Sequence, residues 1–377
     1  MKKNAIVIGA GIVGLACTRA LATRGYKVTV LDRSDFAVGA SIRNFGMVWP
    51  IGQPDGNMYE RAMLSKSIWL DTCERAKIWN DQVGSMHLAY NDMEMDVIEN
   101  FQAATGNKRG YQLLNAIDSS KMSTAIISSG LKGGLFSRDE MILDSPKAIR
   151  TIPGFLSENY DVEFKWNTHV HHVESGKVHA GLDTYEADEI FICNGPDFEN
   201  LFPEETMKLP LTKCKLQMMR FEVQPDEWRM GPSLCGGLSL THYTSFKQAG
   251  ESLLKYKTHV EETMPEYVKW GIHVMVSQNS SGEIIVGDSH EYGPTHDPFD
   301  KSHINDLILS YLRQFARFPS ERISASWNGT YPKMMDGSTE IVLNLLPGVK
   351  MINALSGAGM TLSFGLCEQV IAGTYTK

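Results

Sequence analysis

The sequence predicts an α/β fold in which a discontinuous domain on a parallel sheet carries an inserted α+β domain built on an antiparallel sheet. Three observations support this. The chain opens on strand, glycine turn, helix and second strand; its last stretch returns to strand, strand, glycine turn and helix; and much of the sequence between reads as short strands around one helical stretch. This order assigns residues 1–83, 144–208 and 320–377 to the first domain and 84–143 and 209–319 to the second.

The elements follow from pattern. Asn4–Ile8 is a short apolar run, the signature of a buried strand. Val13, Ala16, Cys17 and Ala20 recur at helical spacing over 12–24, Gly25 ends that helix, and Lys27–Leu31 is a second strand. Residues 58–79 read as a helix, followed by short mixed elements up to Leu143. Asp144-Ser145-Pro146 starts another helix, with a capping residue ahead of proline. Residues 161–192 hold several short strands. Strands are expected at 211–223, 236–240, 272–277 and 283–287, around a helix near 245–265, and the last helix is expected near 360–373.

Composition narrows the function classes. Net charge is −8, from 36 basic and 44 acidic residues, which gives no support for binding nucleic acid or an anionic membrane. No apolar run reaches the roughly 18 residues of a membrane span. The six cysteines are scattered without a CxxC pair, as expected for reduced core thiols in a cytoplasmic protein.

Gly9-Ala10-Gly11-Ile12-Val13-Gly14 is a G-x-G-x-x-G turn. It follows a strand and opens a helix. Gly9 permits the tight turn, Gly11 lets the backbone approach a pyrophosphate, and Gly14 lets helix and strand pack closely. Asp32 lies 18 residues after Gly14, at the end of the next strand, where an acid holds ribose hydroxyls. The context makes this a dinucleotide site. Gly357 and Gly359 precede the last helix, whose N-terminus carries partial positive charge suited to an electron-rich ring.

Four stretches resemble the D-amino-acid oxidase, glycine oxidase and sarcosine oxidase family. They are Gly39-Ala40-Ser41-Ile42-Arg43-Asn44-Phe45-Gly46, the run 185–195 ending in Asn194-Gly195, Trp327-Asn328-Gly329-Thr330-Tyr331-Pro332 with Asp336-Gly337, and the run 353–361 containing Gly357, Gly359, Met360 and Thr361. The resemblance implies a Rossmann-like FAD-binding domain, with FAD contacts extending to Arg33, Ser41, Arg43, Asn44, Gly46, Met47 and the backbone of Val170. It implies oxidation of a C–N bond, in which the flavin takes the hydride and no side chain is singled out as catalytic.

This chain departs from the family where its members hold a substrate carboxylate. The arginine position is Tyr331 and the alternative lysine position is Thr361. No cysteine stands where the sarcosine branch tethers its flavin, so FAD is expected to be non-covalent. The stretches 214–219 and 287–293 resemble a branch associated with aminophosphonate breakdown. The expected substrate is a small anionic primary or secondary amine, such as aminoethylphosphonate or its N-methyl form, with oxygen or another acceptor taking the electrons.

The anion would be held among Arg43, Lys213, Lys215, His242, His273 and Lys333, with Trp49, Tyr243 and Tyr331 as walls. Lys333 also reads as a solvated surface lysine. His169, His171, His172 and His179 lack a nearby carboxylate or cysteine partner, and no metal is expected. Two other readings stand beside this one. A flavin-dependent 2-hydroxy-acid dehydrogenase would need a base for the hydroxyl proton, and the sequence points to none. A structural flavin-binding subunit would show no substrate-dependent bleaching.

Overall fold

The computed structural model describes residues 2–376. Its parallel layer is a six-stranded sheet centred on the first strand. Asn4–Ile8 pairs in parallel with Lys27–Leu31 on one side and Glu189–Ile192 on the other. Val162–Lys165 extends the first side, while Val349–Asn353 and Ile341–Leu346 extend the second. Only the last pairing is antiparallel. The helices Ile12–Ala22, Asn57–Ala76, Ser145–Asn159 and Gly359–Ala372 bury apolar faces around Leu15, Trp69, Ile152 and Phe364 in one core. The glycine turn sits at the carboxyl end of the central strand, where the chain diverges to two neighbours; α/β sheets bind ligands at such a switch point.

The second layer is a nine-stranded sheet. Its pairings are antiparallel except between Ser85–Ala89 and Ser233–Cys235. Its longest pairing joins Leu211–Val223 to Ile323–Met334, with Cys214 opposite Tyr331 and Leu216 opposite Gly329. The chain therefore returns to the parallel layer at Ile341 rather than at 320. A strand's side chains alternate between faces, so Gly329, Tyr331 and Lys333 share one face, and that face lines the central cavity.

Most expected elements form. Asp144 caps its helix by accepting from the Lys147 N–H at 3.5 Å. The strand expected at 236–240 is displaced: Ser233–Cys235 is the strand, and Leu238–His242 is a short helix. Gly236 sits at the break, where any side chain would meet the rings of Tyr311 and Phe315 at 2.6 and 2.8 Å. All six cysteines are unpaired and buried. No helix among the described residues is long and apolar enough to cross a membrane.

One buried acid fixes the loop that walls the cavity. Glu140 is fully buried; its Oε1 accepts from the Ile51 N–H at 2.9 Å and its Oε2 from the Ser85 hydroxyl at 3.0 Å. Burial pushes its pKa up to about 7. The folded state thus holds a proton that the unfolded chain releases at lower pH. The associated stability is complete below the ordinary carboxyl range and is lost as pH rises towards about 7. Glu140→Gln removes the charge; its Oε1 can still accept from the Ile51 N–H, and its Nε2 can donate to the Ser85 hydroxyl oxygen in place of the bond accepted there. Its stability relative to wild type should rise by about 2 kcal/mol, a few degrees in melting temperature, between pH 5.5 and 8.5. A gap independent of pH in a thermal-melt series would contradict this.

Candidate active site

The dinucleotide turn is built by close contact. Gly9 has φ +101°, and a Cβ there would lie 2.4 Å from the Cys193 carbonyl oxygen. A Cβ on Gly14 would lie 1.8 Å from the Gly9 oxygen. Strand, turn and helix are thus locked together. Gly11 differs: a Cβ there would meet only Ser41 Oγ, at 3.1 Å, and open cavity lies beyond. Asp32 accepts from the Ala10 N–H at 2.7 Å and the Ser34 N–H at 2.9 Å, which holds its carboxylate at the strand end. Ser41 Oγ accepts from the Ile12 N–H at 2.9 Å and closes the loop over the helix start.

A cavity of about 700 Å³ runs from this turn to the large sheet. The residues present fit FAD. Gly9, Gly11, Ile12 and Val13 would face its pyrophosphate, Asp32, Arg33 and Val170 its adenosine, and Ser41, Arg43, Met47, Asn194 and Gly195 the path towards the ring. Gly357, Gly359, Met360 and Thr361 line the far wall, where the first-turn N–H groups of the last helix open on the cavity.

Some expected contacts serve the frame instead. Ala10, Gly14 and Gly46 do not line the cavity; Gly46 backs onto Leu143, whose oxygen would lie 2.0 Å from any Cβ. Asn44 lines the wall, but its polar atoms are engaged within the loop. It donates to the Ala40 and Ser41 carbonyls and accepts from the Gly46 N–H and the Ser145 hydroxyl. Thr361 Oγ1 accepts from the Trp49 N–H at 2.9 Å and fixes the pocket wall to the last helix.

At the inner end the large sheet supplies Leu216, Met218, Met275, Tyr331 and Lys333, with His242, Tyr243, His273, Asp288 and His290 beside them. Ring centroids are 3.7 Å apart for His242 and His273, 4.7 Å for His242 and His290, and 5.1 Å for His273 and His290. Burial, with like-charge repulsion from its neighbours, holds His242 and His273 well below the usual imidazole range. Burial lowers His290 to about 4. Burial also raises Asp288 well above the usual carboxyl range. His273 Nε2 lies 3.2 Å from Asp288 Oδ1, yet burial drives both groups towards their neutral forms, so this contact is not an ion pair. Lys333 is half-buried, has its pKa lowered by burial, and has no carboxylate partner among the described residues.

The structure sorts the basic candidates by strand face. Lys333 lines the cavity rather than standing in solvent. Lys213 and Lys215 fall on the opposite face. Lys213 pairs with Glu199 at 2.5 Å, while Lys215 donates to the Asp297 and Phe299 carbonyls at 2.8 and 2.7 Å. Arg43 lines the wall and donates to the Asn328 carbonyl at 2.9 Å. Arg33 is largely exposed and pairs with Asp197 at 2.5 Å. His171 and His172 are exposed on their small sheet, and His179 contacts Glu174 at 2.8 Å. Sequence reasoning missed Asp288 and His290 as site residues. Their signal was two ionisable side chains directly after the buried run Glu283–Gly287.

Gly11→Asp should fold, because nothing but the Ser41 hydroxyl approaches that Cβ, yet bind no FAD, because its carboxylate would meet the pyrophosphate. Asp32→Ala should weaken FAD by roughly 1–3 kcal/mol, the scale of a lost charged hydrogen bond. Fluorescence titration of the apoprotein with FAD reads both; wild-type affinity in Gly11→Asp would remove the turn from the cofactor site.

Comparisons with known proteins agree with this geometry. The family model "DAO: FAD dependent oxidoreductase" matches residues 4–372. Glycine oxidase from Geobacillus kaustophilus superposes with TM-score 0.76 at 15% identity, covering 100% of this chain and 96% of that one. L-proline dehydrogenase from P. horikoshii superposes with TM-score 0.77 at 19% identity, covering 100% and 95%. These likenesses establish the fold. A curated relative, the tRNA 5-methylaminomethyl-2-thiouridine biosynthesis bifunctional protein MnmC of Saccharophagus degradans, is 25% identical over 248 residues. That match takes in 62% of this chain and 34% of the relative, so the two share about a third of the relative's length. With the glycine turn, ribose acid and closing helix in place, and the family model spanning nearly the whole sequence, the chain belongs to the DAO family of FAD-dependent oxidoreductases.

Proposed function

We propose that this enzyme oxidises the C–N bond of a small anionic primary or secondary amine, with FAD held non-covalently, and that the imine hydrolyses to an aldehyde or keto product. FAD, when bound, accepts the hydride that the neutral amine gives up. The electrons then pass to oxygen or another acceptor.

Lys333 carries the anionic part of this reading. It is a half-buried cation on the cavity wall without a carboxylate partner among the described residues. An unpaired buried charge is unfavourable, and a substrate anion would offset that. The Tyr331 hydroxyl adds a separate O–H donor at the same end. Dispersed donors suit a phosphonate, which has three oxygens, better than a carboxylate, which a bidentate guanidinium holds best. With the resemblance of 214–219 and 287–293 to the aminophosphonate branch, this makes aminoethylphosphonate or its N-methyl form the leading candidate. Non-covalent binding is supported by cysteine placement. Cys193, the cavity's one cysteine among the described residues, lies at the glycine turn, and Cys214 packs behind Tyr331.

A second reading has a specific observation behind it. The buried imidazoles of His273 and His290, whose pKa values burial lowers, supply a base of the kind that a 2-hydroxy-acid substrate requires.

Anaerobic flavin bleaching with a panel of amines, aminophosphonates and hydroxy acids separates the two. The amine reading expects an aminophosphonate to outpace the matching uncharged alkylamine in wild type. Lys333→Met should lose about 10- to 150-fold in kcat/KM for the phosphonate while keeping its FAD and its slow turnover of the alkylamine. Equal rates with both amines in wild type would defeat the anionic-substrate reading, and bleaching by the hydroxy acid alone would replace it. Because a free alkylamine titrates near ~10, reduction at low substrate should accelerate between about pH 7 and 9; a flat profile with reduction rate-limiting counts against a neutral amine. Acid precipitation should release intact FAD, and flavin left on the pellet would refute non-covalent binding.

A further inference from the structure

The cluster at the inner end of the cavity has a property that a hydride-transfer site does not require. His242 ends the short helix Leu238–His242, His273 precedes the strand Met275–Gln278, and His290 follows the strand Glu283–Gly287. Three separate elements thus converge on one point. One ring nitrogen of each histidine lies within 4.8 Å of those of the other two.

We propose that His242, His273 and His290 form a binding site for one divalent transition-metal ion, with the fourth coordination position open to the cavity. Ligands of one tetrahedral ion sit about 3.3 Å apart at metal–nitrogen distances near ~2.0 Å, so the rings need close by little more than an ångström. The surroundings set up lone pairs for such an ion. His290 Nδ1 lies 2.9 Å from the Gly271 carbonyl, which can only accept. In the neutral ring Nδ1 therefore carries the hydrogen and Nε2 the lone pair. His273 Nδ1 is buried without a hydrogen-bond partner, while its Nε2 lies 3.2 Å from Asp288 Oδ1, which also lacks a donor. A small turn of either group would make Nε2–H the donor to Asp288 and leave the lone pair of that ring on Nδ1, while His290 Nε2 lies 4.0 Å from Asp288 Oδ2. The Asp288 carboxyl group behind one imidazole and a backbone carbonyl behind another match the usual outer shell of histidine-bound metals, with Asp288 giving up its proton when the ion binds. Imidazole donors suit zinc, copper, nickel and iron(II) over calcium or magnesium.

All three imidazoles and Lys333 line the same cavity. An ion with an open position there would take one oxygen of an anion whose second oxygen meets Lys333. That use rests on the anionic-substrate reading; the metal site itself does not, and its test reads metal rather than turnover. The FAD-loaded protein, stripped with a chelator and dialysed against buffered micromolar zinc, should retain one zinc per chain by elemental analysis. His242→Ala and His290→Ala should each lower zinc affinity at least tenfold with FAD retained, and Asp288→Asn should lower it by about 10- to 100-fold. His172→Ala should change nothing. Copper(II) bound to wild type should show nitrogen superhyperfine coupling from three imidazoles in its EPR spectrum, a readout that needs no variant. Less than a tenth of an equivalent of zinc on wild type, zinc binding unchanged in both histidine variants, or a copper spectrum without imidazole coupling would overturn the site.

Discussion

The register between Leu211–Val223 and Ile323–Met334 decides what faces the flavin end of the cavity. Pairing Cys214 with Tyr331 and Leu216 with Gly329 turns the small and aromatic residues inwards, with Lys333 two positions further along the same face. Lys213 and Lys215 are thereby turned outwards, where they bind Glu199 and the 297–299 carbonyls. A slip of one residue would exchange the faces of the slipped strand, taking Lys333 out of the cavity or turning Lys213 and Lys215 into it and away from these partners. The chemistry proposed for the inner cavity follows from that pairing more than from any single side chain.

The other end depends on contact between backbones. Gly9, Gly14 and Cys193 approach so closely that a side chain at either glycine would displace the helix from the sheet. The result is a rigid floor with one open place, above Gly11. Thr361 joins the two ends, because its hydroxyl accepts from the Trp49 N–H at the head of the last helix. The family's lysine position has thus become a structural tie. The neighbouring arginine position, Tyr331, packs on the Gly357 turn, where any Cβ would meet its ring at 3.2 Å. Both departures leave the inner cavity, among the described residues, without a guanidinium or ammonium except Lys333 and, along the wall, Arg43.

The nucleotide half was legible in the sequence because its signals are local. A glycine turn between strand and helix, an acid at the end of the next strand and a glycine turn before the last helix each lie within a short window. The cavity's inner end was legible only in part. His242, Tyr243, Tyr331 and Lys333 could be picked out by type or by family position, but whether a lysine on a strand faces in or out depends on a partner over a hundred residues away. Asp288 and His290 went unassigned for the same reason. Their neighbours His242 and His273 come from a helix end and a loop elsewhere in the chain, and nothing local shows that three histidines meet. The expected strand at 236–240 failed because an apolar run of that length fits either a strand or a buried helix, and Gly236 breaks it.

The central claim is that the C–H bond on the carbon bearing nitrogen is the one that breaks. Anaerobic stopped-flow reduction of the FAD-loaded protein by aminoethylphosphonate, undeuterated and deuterated at that carbon, tests it most directly. The account predicts complete loss of the oxidised-flavin band and a primary isotope effect on the reduction rate. Reduction at the same rate by both forms, with that step shown to be rate-limiting, or no reduction by this or any other amine, would contradict it.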